Sequence, residues 1–386
     1  MRAARVSAAA ITKDTEGERR RKMVNLGTAL LTGGGFGFLL DRAKTDVPLA
    51  ITEQMAMHHF TMMRMFLGAS ATSLLVMAIL HATGVKERVP RGGLALGLGK
   101  CGGYGANVLG GTLLGSGMAL TGSCPGTVWA QVGAGLPYVA HIIAGGMLAT
   151  LVVGYLEKGL LEKLPNYQKR GEPKALDQML KIPYPAVAVG MAAMMVAVIK
   201  VVEVYFPWKV SSALWVAPGA PLASFPPTLH SAAWDPLIAG VLLGLLQIPA
   251  ILTNGTGLGA SAGWVFAAGM AAKTCDHKCE ENAPYFTRTR SIWQAVAALG
   301  MICGGFISNY YASASVVGPV LSAKASVGVG SAVSAFCGGF LLLLGSRIAN
   351  GCTSGHGLTG MATLSISSFI TVACMFAGGI LTKLLL

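Results

Sequence analysis

Two stretches of this sequence bring thiols, hydroxyls and interrupted backbone together. The first is Gly115-Ser-Gly-Met-Ala-Leu-Thr-Gly-Ser-Cys-Pro-Gly-Thr127. Pro125 has no N–H and biases Cys124 away from helix, while Gly122 and Gly126 permit turns that other residues resist. A helix running into this stretch therefore breaks at Cys124. The break places a thiol, the Ser123 hydroxyl and the Thr127 hydroxyl beside unpaired amides, an anion site reinforced by the positive end of the following helix. The second stretch is Gly345-Ser-Arg-Ile-Ala-Asn-Gly-Cys-Thr-Ser-Gly-His-Gly357. It repeats the logic with Gly351, Cys352, Thr353 and Ser354, and adds Arg347 and His356. Arg347 either faces a cavity or snorkels to the membrane surface. His356 either attracts or gates an anion, or is a satisfied core histidine. A buried cysteine is ordinarily a packing residue. Two of them, each in a helix break, are expected on a solute pathway.

Three other groupings are weaker. Cys275-Asp-His-Lys-Cys279 has the C-x3-C spacing of some zinc sites, but no second ligand pair stands nearby, so it reads as a loop and no metal or cofactor is expected. His58, His59 and Arg64 open a helix and read as a polar cap or an anion vestibule. The methionines of 55–65 and 191–195 read as helix packing, because copper sites want Met patterned with Cys or His.

The elements that must carry these residues are membrane helices. Apolar residues make up 53% of the chain and charged residues 12%, and there are 52 glycines. That composition excludes a soluble enzyme, a disordered tail and a nucleic-acid module. It fits a polytopic all-α membrane protein whose helices approach through small residues. A span needs about 20 apolar residues. Nine segments qualify or nearly so: 25–40, 60–82, 103–122, 137–156, 184–206, 236–252, 292–312, 326–349 and 366–386. The run 257–271 is too short and glycine-rich to span, and reads as a half-helix or re-entrant piece.

The net charge is +13, and its placement follows the positive-inside rule. Arg19, Arg20, Arg21 and Lys22 precede the first apolar run, as in an uncleaved signal anchor with a cytosolic N-terminus. Residues 1–22 lack the apolar core of a cleaved signal. The connections 83–100, 157–183 and 272–291 are basic and fall on the inner side. The connection 207–235 is rich in proline and falls outside, with Trp208, Trp215 and Trp234 as interfacial anchors. This gives an integral protein of the cell (inner or plasma) membrane.

An internal repeat relates the two cysteine stretches. Gly110-Gly111-Thr112-Leu113-Leu114 and Gly338-Gly339-Phe340-Leu341-Leu342 stand 228 positions apart, and at that offset Gly117 meets Gly345 and Cys124 meets Cys352. The expected organisation is a cytosolic tail at 1–24, a first transmembrane repeat at 25–156, a linker with a connecting helix at 157–235 and a second repeat at 236–386. The one intervening helix inverts the second copy. Inverted repeats bring broken helices together near the bilayer midplane, where solutes bind.

The motifs SGMALTGSCPGT and GSRIANGCTSGHGLTG resemble the paired signatures of the YeeE/YedE family of sulfur-transport membrane proteins, and GGGFGFLLDRA followed by HHFTMMRMFLGAS is similar to its first-repeat opening. The resemblance covers most of 25–386. It implies uptake of thiosulfate or a related sulfur anion through a narrow pore, with cysteines on the pathway at Cys124 and Cys352. It also implies a TusA-like sulfur carrier as a soluble partner at the inner face. Some members carry a further cysteine in the opening. Here there is none, and Cys101, Cys303 or Cys337 would have to substitute. Thiols suit such cargo, because they are weak, polarisable donors and conduction needs weak successive sites. Two rival readings stand beside this one: a membrane-embedded thiol or sulfurtransferase enzyme, and a channel for another small anion.

Overall fold

The computed structural model describes residues 2–88, 104–163, 175–214, 216, 222–223, 228–229, 231–289, 291–313 and 330–386. Cys101, Trp215 and much of the basic connections lie outside them. Among the described residues, seventeen α-helices and one π-helical turn account for nearly all the regular structure, beside a two-residue parallel pairing of Leu222–Ala223 with Ala233–Trp234 and an isolated bridge between Ala175 and Ser365.

The first half runs α1 (Arg2–Arg42), α2 (Pro48–Met55), α3 (Thr61–Ala82), α4 (Gly105–Thr121), α5 (Thr127–Ala134) and α6 (Val139–Lys163). Short α7 (Leu176–Leu180), long α8 (Tyr184–Tyr205) and short α9 (Trp208–Ala213) connect. The second half runs α10 (Pro236–Leu245), α11 (Gln247–Asn254), α12 (Ser261–Cys275), α13 (Cys279–Asn282), α14 (Pro284–Arg288), α15 (Ile292–Ser313) and α16 (Ala332–Ile348). A π-helical turn (Gly355–Gly360) and α17 (Ile366–Leu385) complete it. The helix α1 runs from Arg2 through the first apolar stretch, Lys22–Arg42.

Among the described residues, seven helical stretches are long and apolar enough to cross a membrane: Lys22–Arg42, Thr61–Ala82, Val139–Gly159, Tyr184–Tyr205, Pro236–Asn254, Ile292–Tyr311 and Ile366–Leu385. The other two expected segments appear as the 17-residue helices α4 and α16. These short helices are the ones that end at the cysteine breaks. The chain is thus a polytopic all-α membrane protein with interrupted helices.

The helices pack across the two halves. Gly33 and Gly37 of α1 lie against the backbone of Ala297 and Met301 of α15, and Gly240 and Gly244 of α10 lie against Met65 and Ala69 of α3. Both pairs run parallel. At the centre, α4 and α16 cross antiparallel. A Cβ on Gly110 would stand 2.7 Å from the Gly345 carbonyl, and one on Gly117 would stand 2.7 Å from the Gly338 carbonyl. Helices in lipid associate by such close backbone approach. The four glycines are the repeat's own matched positions, so each helix presents the same two residues to the other in reverse order. That is the packing an inverted repeat requires.

The expectation that Trp208 and Trp234 anchor at the membrane surface is corrected. Trp208 and Trp234 are buried. Trp234 donates from its indole N–H to the Thr228 carbonyl and packs edge-on to Phe38, so it anchors the segment before α10 to α1. Met62 and Met65 do pack, but they also wall the central cavity described next.

Candidate functional site

Each break is built by a helix that stops in the left-handed region. In the first, Gly122 takes φ +59°, and its amide closes α4 on the Met118 carbonyl at 2.9 Å. A Cβ there would come within 2.4 Å of the Pro48 carbonyl, so only glycine fits. The matched position 228 residues on is Asn350, also left-handed at φ +59°, a conformation that asparagine tolerates best after glycine. There the Gly351 amide reaches the Ser346 carbonyl at 2.9 Å and the Asn350 amide the Arg347 carbonyl at 3.2 Å, a Schellman closure. Gly351 stands next to the turn, and Asn350 makes it.

Beyond the first stop the chain folds around Cys124. The Cys124 amide donates to Thr127 Oγ1 at 2.6 Å, the Thr127 amide donates to Cys124 Sγ at 3.3 Å, and Thr127 Oγ1 donates to the Cys124 carbonyl at 3.0 Å. The sulfur therefore caps the N-terminus of α5. Ser123 turns away, donating to Gln131 Oε1 at 2.6 Å, and Gln131 Nε2 donates to the Asp46 carbonyl at 2.7 Å. Trp264 of α12 closes the back of the break, donating to the Pro125 carbonyl at 3.0 Å and stacking on Trp129 with ring centroids 4.6 Å apart.

In the second break, Cys352 Sγ lies 3.3 Å from Ser354 Oγ, which in turn accepts from the Ala260 amide at 3.2 Å. The Gly355 amide and the Ser261 hydroxyl also face this sulfur, and Arg347 is within electrostatic reach. The loop before α12 thus reaches the same depth as the breaks, as expected of a re-entrant piece. Beyond Ser354 the chain winds as a π-turn, a form that concentrates at functional sites.

The two breaks meet at one cavity of about 50 Å³. Cys124 and Thr127 line it from the first break, and Thr353 and Ser354 from the second. Apart from Thr45, its remaining walls are apolar or soft, with Phe36 from the glycine-rich opening, and Met62, Met65 and Phe66 from α3. Cys352, 1% exposed, stands behind Ser354 rather than on the cavity wall. The methionines are the lining residues that the sequence missed; a spacing that put them on one face of α3 with Phe66 and Ala69 is the only signal that could have found them.

Other candidates lie off the cavity. His356 is buried with Nδ1 3.0 Å from Ser368 Oγ and Nε2 3.0 Å from the Ala349 carbonyl, so it laces the π-turn to α17 and to the end of α16. Arg347 is buried against α14, donating to Tyr285 Oη at 3.5 Å and to Ser346 Oγ at 3.1 Å. Arg64 pairs with Glu203 of α8 at 3.2 Å, and His58 with Glu53 at 2.8 Å, so neither heads an anion vestibule. Cys303 and Cys337 are exposed on the outer faces of their helices, which removes them from the central site. In the Cys275–Cys279 loop, hydrogen bonds from Asn282 and the Lys278 amide hold the Asp276 carboxyl below the usual range. Among the described residues no cluster of His, Cys, Asp and Glu could hold a metal.

A buried ion network flanks the first break. Lys44 Nζ lies 3.0 Å from Asp41 Oδ1, and Ser308 of α15 donates to the other oxygen of that carboxylate. Arg42 donates to the Ser231 carbonyl at 2.7 Å and lies over the Phe38 ring at 5.0 Å. Buried charges persist only when paired, and this set fixes the end of α1 beside Thr45, which lines the cavity.

Comparison with known proteins places the chain among transport proteins by sequence. The Escherichia coli (strain K12) thiosulfate transporter TsuA is 26% identical over 283 residues, covering 70% of this chain and 71% of that protein. A probable transporter of Xylella fastidiosa (strain Temecula1) is 26% identical over 152 residues, covering 39% of this chain and 91% of its own length, and its counterpart in strain 9a5c matches to the same extent. The pattern of the sulphur transport family runs through residues 42–381, from the buried ion network to the end of α17, and the chain belongs to that family.

Proposed function

We propose that the chain takes up thiosulfate, or a closely related small sulfur anion, through the cavity between the two breaks. The observation that carries this reading is that Cys124 and Thr127 of one break and Thr353 and Ser354 of the other line a single cavity. The Cys124 thiol and the hydroxyls of Thr127, Thr353 and Ser354 offer an anion weak donors on both sides. The largely apolar walls raise the cost of stranding a charge without partners. A dianion held by neutral groups is also free to leave, as conduction requires. Cys124 meets the anion directly, and Cys352 acts through Ser354 as the next sulfur along.

In this reading residues 25–156 and 236–386 are the two inverted repeats. The N-terminus and the connection 157–183 face the cytosol across the inner membrane. Protease cleavage of that connection from inside, and not from outside, tests the orientation. Function is tested by uptake of radiolabelled thiosulfate into proteoliposomes holding the purified chain, with sulfate as competitor. Uptake that unlabelled thiosulfate suppresses and sulfate does not supports the reading. No uptake above empty liposomes overturns it.

A further inference from the structure

A second, larger cavity of about 370 Å³ opens where α3 ends. Three elements wall both cavities. On α3, Phe66 and Ala69 line the central cavity, and Ser73 and Met77 line the second; the spacing of three to four residues keeps all of them on one face. Leu243 of α10 gives way to Gln247 of α11 one turn further along, and Leu358 to Thr359 within the π-turn and to Thr363 just beyond it. The two spaces therefore lie in line. A thin partition separates them. Ser70 Oγ donates to the Gly357 carbonyl at 3.1 Å, and the Gln247 side chain bridges the Leu258 amide at 2.9 Å and Thr359 Oγ1 at 3.2 Å.

The lining of this vestibule carries donors that no fold contact uses. Ser70 and Thr72 return their hydroxyls to the carbonyls four residues back, at 2.8 and 2.9 Å. Ser73 does not. Its hydroxyl is buried and makes no hydrogen bond within the protein, and it lines the cavity. A buried unsatisfied hydroxyl is costly and calls for a partner. Lys86 also lines the space, and it forms no ion pair among the described residues. The neighbouring Arg88 is committed to Asp177 and to the Tyr184 ring. Glu87 shares the lining with Lys86, which offsets the ammonium and keeps any anion loosely held.

We propose that this vestibule is a second binding station for the transported sulfur anion, with Ser73 and Lys86 as its ligands. It rests on the reading of the central cavity as a sulfur-anion pathway. An anion leaving Cys124 passes the Gln247–Thr359 partition and pauses at Ser73 and Lys86 before release.

Equilibrium binding of radiolabelled thiosulfate to the purified chain, together with uptake into proteoliposomes, tests it. The wild type is expected to take up thiosulfate and to bind two anions per chain. Ser73→Ala and Lys86→Gln should each weaken one of these sites about tenfold and leave the other intact. Cys124→Ala should lose the other site. Glu87→Gln should tighten the vestibule site. One site in the wild type, or both sites unchanged in Ser73→Ala and Lys86→Gln, overturns the station while the pathway stands. A wild type that neither binds nor takes up thiosulfate overturns the pathway and the station with it.

Discussion

Ser123 and Gln131 are joined by a 2.6 Å hydrogen bond across the first break, and the Gln131 amide passes the link on to the Asp46 carbonyl at 2.7 Å. One side chain on α5 thus sets the turn before Cys124 and the loop after α1. Gln131→Leu strands the Asp46 carbonyl in a buried site and leaves the Ser123 hydroxyl only its 3.2 Å bond to the Thr121 carbonyl. An orphaned buried group costs about 1–3 kcal/mol, so thermal unfolding in detergent should move down by a few degrees. Uptake should fall with it, because the turn that aims Cys124 is no longer held.

Cys124→Ala and Cys352→Ala should each abolish thiosulfate uptake and still yield folded protein in the membrane. Both thiols are buried, and removing either sulfur leaves a small void, for which about 1 kcal/mol is expected; at Cys124 the loss of the acceptor for the Thr127 amide adds about 1 kcal/mol more. Size-exclusion profiles check the fold, and proteoliposome uptake checks the function. Wild-type uptake in both variants would remove the thiols from the pathway.

Gly110→Ala brings opposing effects into one measurement. Alanine favours helix over glycine by about 1 kcal/mol. Its Cβ, however, would lie 2.5 Å from the Ala349 nitrogen, and overpacking of that kind costs about 1–3 kcal/mol. The contact should win, and the melting temperature should fall. Gly159→Ala is the control, since nothing lies within 4 Å of the added carbon, and there the melting temperature should hold or rise.

Replacing Cys275 and Cys279 together by alanine should leave uptake within about twofold of wild type, as for changes away from a site. Cys279 is buried against Ala283 and Phe286, so a modest loss of stability is expected. Complete loss of transport would instead make this loop part of the chemistry.

The breaks were legible because proline and glycine punctuate an otherwise apolar pattern, and the matched cysteines followed from one offset. Among the described residues seven membrane-capable helices were legible from apolar run length, and the short α12 from its failure to reach that length. What escaped was whatever depends on a partner far away in the chain. Gln131 looks like any polar residue in a helix until Ser123 and Asp46 are placed around it. His356 looks like a ligand until Ser368 and the Ala349 carbonyl are seen to occupy both ring nitrogens. Met62 and Met65 look like filler, and only the fold shows which of their neighbours is empty space. Even the second break turns on Asn350 rather than on the adjacent glycine.

The reciprocal glycine contacts of α4 and α16 have a mechanical corollary. Two rods touching along their spines cannot tilt independently, so this crossing serves as a fixed axle through the molecule. The central cavity lies beside this crossing. Any widening of it has to come from the side chains around the axle, and Met62 and Met65, with three rotatable bonds each, are the ones that turn with least effort.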